Sequence, residues 1–317
     1  MTTSALAPQF AAETSQRGEF IRQPYVFDGR ITADGSSGYR AEPGRYHLYV
    51  SLACPWAHRA IVVRELLGLQ DVISMSVVDP IRDERGWAFR DGPGHSLDPV
   101  SGFQFLSEAY LATDPDYEGR YTVPCLWDRQ TNRLVSNQFW NITIDFETQF
   151  GAFSNKSEDL YPESLRAEID RINEEIYVDV NNGVYQAGFA TTQVAYEEAF
   201  DALFARLDWL EDLLSTQRYL LGNQLTEADI RLWPTLVRFD AVYVGHFKCN
   251  LRRLVDYPNL WAYARDLYQR PAFGKTVNFD HIKRHYYGTH DQLNPSGIVP
   301  KGPEMHWEEP HGRERLG

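Results

Sequence analysis

The chain is poor in sulfur, with three cysteines and three methionines in 317 residues. So few thiols in so long a chain do not make the disulfide framework of a small secreted protein, and they suit a reducing compartment. Excess positive charge is also missing. Lys and Arg total 31 against 44 Asp and Glu, a net charge of −13. Nucleic acid and anionic membrane surfaces are therefore not expected partners, because neither gains counterion release or basic contacts here. No apolar run is long enough to cross a bilayer, and the N-terminus lacks a basic stretch followed by an apolar core. A cytoplasmic protein is expected. What is present is 43% hydrophobic and 24% charged residues, the balance of a packed globular protein with room for two domains.

Among the three thiols, Cys54 has the most informative setting. The run Ser51-Leu52-Ala53-Cys54-Pro55-Trp56-Ala57-His58-Arg59 follows an alternating strand signal, Tyr46 to Ser51, and opens a helical one. Pro55 suits a first helical position, where its missing N–H costs nothing. A thiol at that point faces backbone N–H groups and the positive end of the helix dipole, which favour the thiolate. Arg59, Arg64 and Glu65 supply the polar positions of that helix. Position 57, where a second cysteine would make a dithiol motif, is Ala57, so an external thiol must complete any redox cycle. Cys125 and Cys249 stand in apolar contexts and read as inert.

The chain divides by pattern. Residues 1–44 lack periodicity and read as an arm that wraps the body or another subunit, not as a domain. Residues 45–155 alternate strand and helix signals. A second strand falls at Val72 to Val78, then comes a long polar and aromatic stretch to about Gly119 that reads as a functional loop. Strands at Tyr121 to Trp127 and Arg133 to Ser136 make a hairpin, and a helix opens near Asn137. Residues 160–287 carry helical spacing, with Phe200, Leu203, Leu207, Leu210 and Leu214 as a core stripe. Thr226-Glu227-Ala228-Asp229 reads as a capping box with Asp in the place of Glu. Residues 288–317 read as an irregular tail. His281, His285 and His290 cluster near it, but at no familiar zinc spacing, so no metal is expected.

This order, a thioredoxin-like β-α-β-β-β-α unit followed by an all-helical domain (α/β plus all-α), resembles the glutathione transferase superfamily. Cys54-Pro55-Trp56-Ala57, Gly86-Trp87, Thr122-Val123-Pro124, Asn181-Asn182-Gly183-Val184-Tyr185, Arg238-Phe239-Asp240, Gly245-His246-Phe247-Lys248-Cys249-Asn250, His285-Tyr286-Tyr287 and Asn294-Pro295 through Gly302-Pro303 resemble the Xi class, the glutathionyl-hydroquinone reductases. The resemblance implies the reduction of a hydroquinone that carries a thiol as a thioether. Cys54 would attack the thioether sulfur, and a second thiol would release it. Glutathione or another low-molecular-weight thiol would be the co-substrate, with no metal, and a homodimer is expected. The same resemblance makes Val123, before a cis Pro124, the backbone partner of the thiol. Trp87 would cover that thiol with an aromatic face, and Arg120 would meet a carboxylate. Tyr185 and Tyr287, with Tyr286 as the close rival of Tyr287, would line the hydroquinone site and supply the proton.

The chain departs from the family at Gln138 and Phe139, where the family has Glu-Ser. Those residues hold the γ-glutamyl end of glutathione. Gln138 keeps hydrogen bonding without the charge, and Phe139 loses the hydroxyl but keeps its backbone N–H. Loose glutathione binding is one expectation. The other is a thiol without the γ-glutamyl group, such as mycothiol, with Phe139 and Trp140 offering apolar faces to a sugar. A non-catalytic ligand-binding protein of the same fold, and a conjugating transferase, are the competing classes.

Overall fold

The computed structural model describes residues 13–154 and 158–317. The first twelve residues of the expected arm and the expected domain end at 155 lie outside the described residues. The chain clusters into two compact units. The first comprises Gln23–Glu158 and Asn278–Asp291, and the second comprises residues 13–22, Asp159–Val277 and Gln292–Gly317.

The first unit is built on a four-stranded sheet of order β2-β1-β3-β4, with β1 at Tyr46–Val50, β2 at Ser74–Val77, β3 at Cys125–Asp128 and β4 at Arg133–Ser136. β1 pairs parallel with β2 and antiparallel with β3, and β3 pairs antiparallel with β4. The parallel pair needs a crossover, which α1 (Pro55–Leu66) supplies. Every residue of β1 is buried, so the strand is enclosed on both faces. A paired Arg45–Asp128 fork, with both bonds at 2.9 Å, closes the end of the central strands. Helix α1 is buried on almost all sides, which corrects the expected polar face. Arg59 is 1% exposed, its guanidinium lying 4.6 Å from the Trp56 ring and 4.7 Å from that of Phe139. Arg64 turns back to donate to the carbonyls of Ile73 (2.6 Å) and Gln70 (3.0 Å).

The long stretch after β2 is not one loop. It contains α2 (Leu106–Thr113), and Asp98 pins its middle by accepting from the N–H groups of Val100, Ser101 and Phe103 and from the Tyr49 hydroxyl. Arg90 bridges Asp79 and Asp83 farther upstream. The helix expected at Asn137 is α3 (Phe139–Gln149), and it packs against α1. From Gln23 on, the arm belongs to this unit. Phe27 and Gly29 exchange backbone bonds with Asn137 and Val135, and Asp145 holds Arg30 and the Ile31 N–H.

The second unit is helical. It runs through α4 (Arg166–Ile176), α5 (Gly183–Gly188), α6 (Gln193–Leu213), α7 (Glu227–Arg238), α8 (Pro258–Tyr268) and the short α9 (Pro271–Gly274). A wide turn at Tyr177–Asn181 joins α4 to α5. The expected stripe is its core, with Leu203, Leu207, Leu210 and Leu214 buried and Phe200 half-buried. The capping box forms, Asp229 accepting from the Thr226 N–H at 2.9 Å. Residues 13–22 of the expected arm pack within this unit. The tail is irregular until a short turn at Arg313–Leu316, where buried Arg313 donates to the carbonyls of Leu214 and Arg218.

The boundary expected at residue 287 moves. Helix α10 (Phe279–Thr289) clusters with the first unit, not with the helical one. Two histidines explain this. His281 Nε2 lies 2.7 Å from the Pro93 carbonyl and His285 Nδ1 lies 2.8 Å from that of Pro80. Among the described residues, no helix is long and apolar enough to cross a membrane.

Candidate active site

Cys54 is the N-cap of α1. Its backbone is extended (φ −79°, ψ 121°), its carbonyl accepts the His58 N–H at 3.0 Å, and Pro55 takes the first helical position. The half-buried sulfur therefore sits where the helix N-terminus favours negative charge. Its thiol donates to the Val123 carbonyl at 3.3 Å. A carbonyl stabilises S–H and repels S⁻, so ionisation must loosen that contact and hand the Val123 backbone to another partner. The Val123–Pro124 peptide is cis. Cys125 follows in β3 opposite Tyr49, fully buried, and burial pushes its thiol far up. Burial does the same to Cys249 in the second unit. Burial disfavours the thiolate at both, whereas Cys54 is only half-buried.

Gln138 is the N-cap of α3. Its N–H donates to Ser136 Oγ at 3.0 Å, and its side chain makes no capping bond. The amide oxygen of Gln138 is buried and has no hydrogen-bond partner. An unpaired acceptor beside a helix N-terminus is costly unless a ligand donor meets it. Phe139 behaves differently from the expectation. Its ring is 1% exposed and packs on Trp56 (4.9 Å), Trp140 (4.6 Å) and Tyr25 (5.7 Å). The apolar face foreseen for a sugar is thus spent inside the unit, on the same aromatic cluster that covers Arg59. Only the Phe139 backbone, at the first position of α3, remains a candidate for ligand contact.

Trp87 is also more enclosed than an aromatic cover requires, being 4% exposed. Its indole stacks on His285 (centroids 4.8 Å apart, planes 23°), and the Arg82 guanidinium lies 5.2 Å from the ring. One face of Trp87 is thus taken by His285. Arg120 is partly exposed, and its carbonyl receives the Tyr117 hydroxyl at 2.8 Å. Two residues on, the Thr122 carbonyl accepts the Tyr110 hydroxyl at 2.8 Å.

The rival tyrosines of α10 separate by burial. Tyr286 is 2% exposed, with its ring edge-on to His285 and His290 at 5.5 Å each. Tyr287 is half-buried and is the accessible one. Tyr185 lies in α5 of the second unit, 8% exposed, among Phe189 (6.1 Å), Tyr243 (6.1 Å) and Phe247 (5.3 Å). The Arg22 guanidinium lies 5.1 Å from its ring. Neither Arg22 nor the stacking role of His285 was foreseen. The motif at His285 marked the position, but nothing local signals a contact to Trp87 almost two hundred residues away. Among the described residues, no group of three or more His, Cys, Asp and Glu is placed to hold a metal ion.

The glutathione S-transferase N-terminal domain profile matches residues 53–149, and the C-terminal domain profile matches residues 193–266. The glutathionyl-hydroquinone reductase YqjG of Escherichia coli is 52% identical over 307 residues, covering 95% of this chain and 94% of its own. Its glutathione-bound structure superposes with a TM-score of 0.89, covering 91% of this chain and 96% of that one. The glutathionyl-hydroquinone reductase PcpF of Sphingobium chlorophenolicum is 49% identical, with 91% of each chain covered. The glutathione-S-transferase Xi of Phanerochaete chrysosporium is 48% identical at a TM-score of 0.91, with 96% and 99% covered. A thioredoxin-like unit with Cys54 at its first helix, a helical partner unit and likeness along nearly the whole length place this chain in one family: it belongs to the Xi class of the glutathione S-transferase superfamily, that of the glutathionyl-hydroquinone reductases.

Proposed function

We propose that the chain reduces S-conjugated hydroquinones with a low-molecular-weight thiol, glutathione being the thiol that the relatives favour. The observation that carries this is Cys54, capping α1 beside Pro55 and touching the Val123 carbonyl. The Cys54 thiolate attacks the thioether sulfur. An S–S bond forms as the carbon–sulfur bond breaks, and the bonding pair goes to the ring carbon. That carbon takes a proton from Tyr185 or Tyr287, giving free hydroquinone. A second thiol then attacks the carrier sulfur of the mixed disulfide, which frees Cys54 and yields the symmetrical disulfide. With Ala57 in the second motif position, the external thiol is the resolving one.

In this reading the carrier thiol pairs with the Val123 backbone, meets Trp87 and Arg120, and ends at the N-terminus of α3. There Gln138 accepts from its ammonium group and the Phe139 N–H meets its carboxylate. Tyr287 is favoured over Tyr286 because the latter is enclosed by two histidines. Three free thiols suit the cytoplasm, and a homodimer follows from the family resemblance. The test uses a glutathionyl hydroquinone with excess glutathione. Wild type should release one hydroquinone and one glutathione disulfide per turnover, and Cys54→Ser should release neither. Release of hydroquinone by Cys54→Ser at the wild-type rate would refute the covalent step.

A further inference from the structure

We propose that Arg22 is a positioning residue for this reaction, acting through Tyr185. Its guanidinium holds the phenol ring and stabilises the negative charge left when the phenol gives up its proton. The inference deepens the reading of Tyr185 as a proton donor and rests on it.

The geometry lies entirely within the second unit. Arg22 Nε donates to Asn182 Oδ1 at 3.1 Å, and the guanidinium carbon lies 5.1 Å from the Tyr185 ring centroid and 5.3 Å from that of Phe20. Asn182 caps α5, and its carbonyl accepts the Tyr185 N–H at 2.9 Å. Asn182 thus ties the turn that carries the phenol to the cation above it. Arginine suits the place because one edge of its plane bonds the amide while its face covers the ring.

The segment that delivers Arg22 is fixed at several points. Thr14 and Phe20 form a bridge, and Gly18 adopts φ +88° against Thr191 and Thr192. A Cβ at Gly18 would lie 2.6 Å from Thr192 Cγ2, so only glycine allows this approach. Thr192 Oγ1 donates to the Arg17 carbonyl at 2.6 Å, and Arg17 forks onto Glu198 at 2.8 and 2.9 Å. Phe20 packs on Phe189 at 5.4 Å, and Phe189 packs on Tyr185. This part of the N-terminal arm is therefore built onto the helix that bears the tyrosine.

The chemistry explains why a cation belongs there. When sulfur leaves the hydroquinone ring, the carbon takes the Tyr185 proton, and the phenolate spreads its charge over the oxygen and the ring. A guanidinium already seated over that ring meets the charge without reorganisation. The phenolate regains its proton from the second thiol, which enters the next step as thiolate. Protons and electrons balance with no further reactant.

The test is a double-mutant cycle on the full-length protein, with a glutathionyl benzohydroquinone as substrate. Tyr185→Phe, Arg22→Met, Arg22→Lys and the Arg22→Met/Tyr185→Phe pair are compared for kcat and for KM of glutathione. Melting curves and the Cys54 alkylation rate check that each variant is folded. Arg22→Met is expected to lower kcat about tenfold with the KM for glutathione unchanged, and Arg22→Lys to recover part of the loss. In the Tyr185→Phe background the same Arg22→Met change should have no further effect on kcat. An equal kcat loss in both backgrounds, or none in either, overturns the role of Arg22. Wild-type turnover by Tyr185→Phe instead overturns the proton-donor reading, and the inference falls with it. If Arg22→Met is unfolded, Arg22→Lys and Arg22→Gln carry the comparison, and wild-type kcat in both overturns the proposal.

Discussion

Replacing Gln138 with glutamate should tighten glutathione binding. The Gln138 amide oxygen is buried without a partner at the N-terminus of α3, so an acceptor is already in place and lacks only charge. A carboxylate about 3 Å from the α-ammonium of glutathione attracts it by about 5 kcal/mol at an effective dielectric constant of roughly 20. Desolvating the new carboxylate in a half-buried site takes back several kcal/mol. The helix N-terminus returns about 0.3–1 kcal/mol. The net gain is about 1–2 kcal/mol, or roughly five- to thirtyfold in affinity. The contact is remote from the sulfur, so the gain belongs in KM and not in kcat. The assay is steady-state reduction of a glutathionyl hydroquinone with glutathione varied, repeated with glutathione acetylated on its α-amine. Gln138→Glu should lower KM for glutathione and lose that advantage with the acetylated thiol. An unchanged or higher KM for glutathione, or an equal gain with both thiols, would refute the placement of the ammonium beside Gln138.

Alkylation should distinguish the three thiols: iodoacetamide labels Cys54 in the native protein, while Cys125 and Cys249 react only once the chain is unfolded, and mass spectrometry of the labelled peptides reads this directly. Asp229→Ala removes the acceptor for the N–H groups of Leu220 and Thr226 and for the Tyr263 hydroxyl, all buried. It should cost about 3–4 kcal/mol in urea unfolding, whereas loss of an exposed cap costs about 1. His47 is enclosed between Ser74 Oγ (2.7 Å) and Ser76 Oγ (2.8 Å), and burial lowers its pKa to about 4. The unfolded chain therefore binds a proton first. This contribution is complete above about pH 6.5 and is lost as the pH falls to about 4, on the order of 3 kcal/mol in all. A His47→Gln variant should show a flatter fall in stability across that window, and an identical slope would exclude His47 as its source.

The elements that position Cys54 are legible because each rests on a local signal. Alternation marks β1, and Pro55 marks the start of α1. Thr226 and Asp229 declare the cap of α7 three residues apart. What escapes a sequence reading is set by partners far along the chain. Arg59 and Arg64 look like the wet face of an amphipathic helix, yet α3 and the turn before β2 enclose them, one by stacking and one by carbonyls. α2 hides in a stretch with few periodic apolar residues, and its Glu108 closes its own cap on the Gln104 and Phe105 N–H groups. Position 139 shows why a substitution can be visible while its consequence is not. A hydroxyl replaced by a phenyl ring suggests a new ligand surface if the side chain keeps its direction. The ring instead turns inward, where Trp56 and the Arg59 guanidinium complete its packing. The change is therefore read in two places. The ligand side loses one hydroxyl donor, and the core gains an aromatic wall for a buried cation on the helix that carries Cys54. Phe139→Ser should accordingly destabilise the fold, by about 3–4 kcal/mol for a buried ring of this size, while any gain in glutathione affinity stays within the single hydrogen bond that a hydroxyl adds, about 1 kcal/mol. A stable Phe139→Ser variant with a much larger gain in affinity would show that the ring faces the ligand after all.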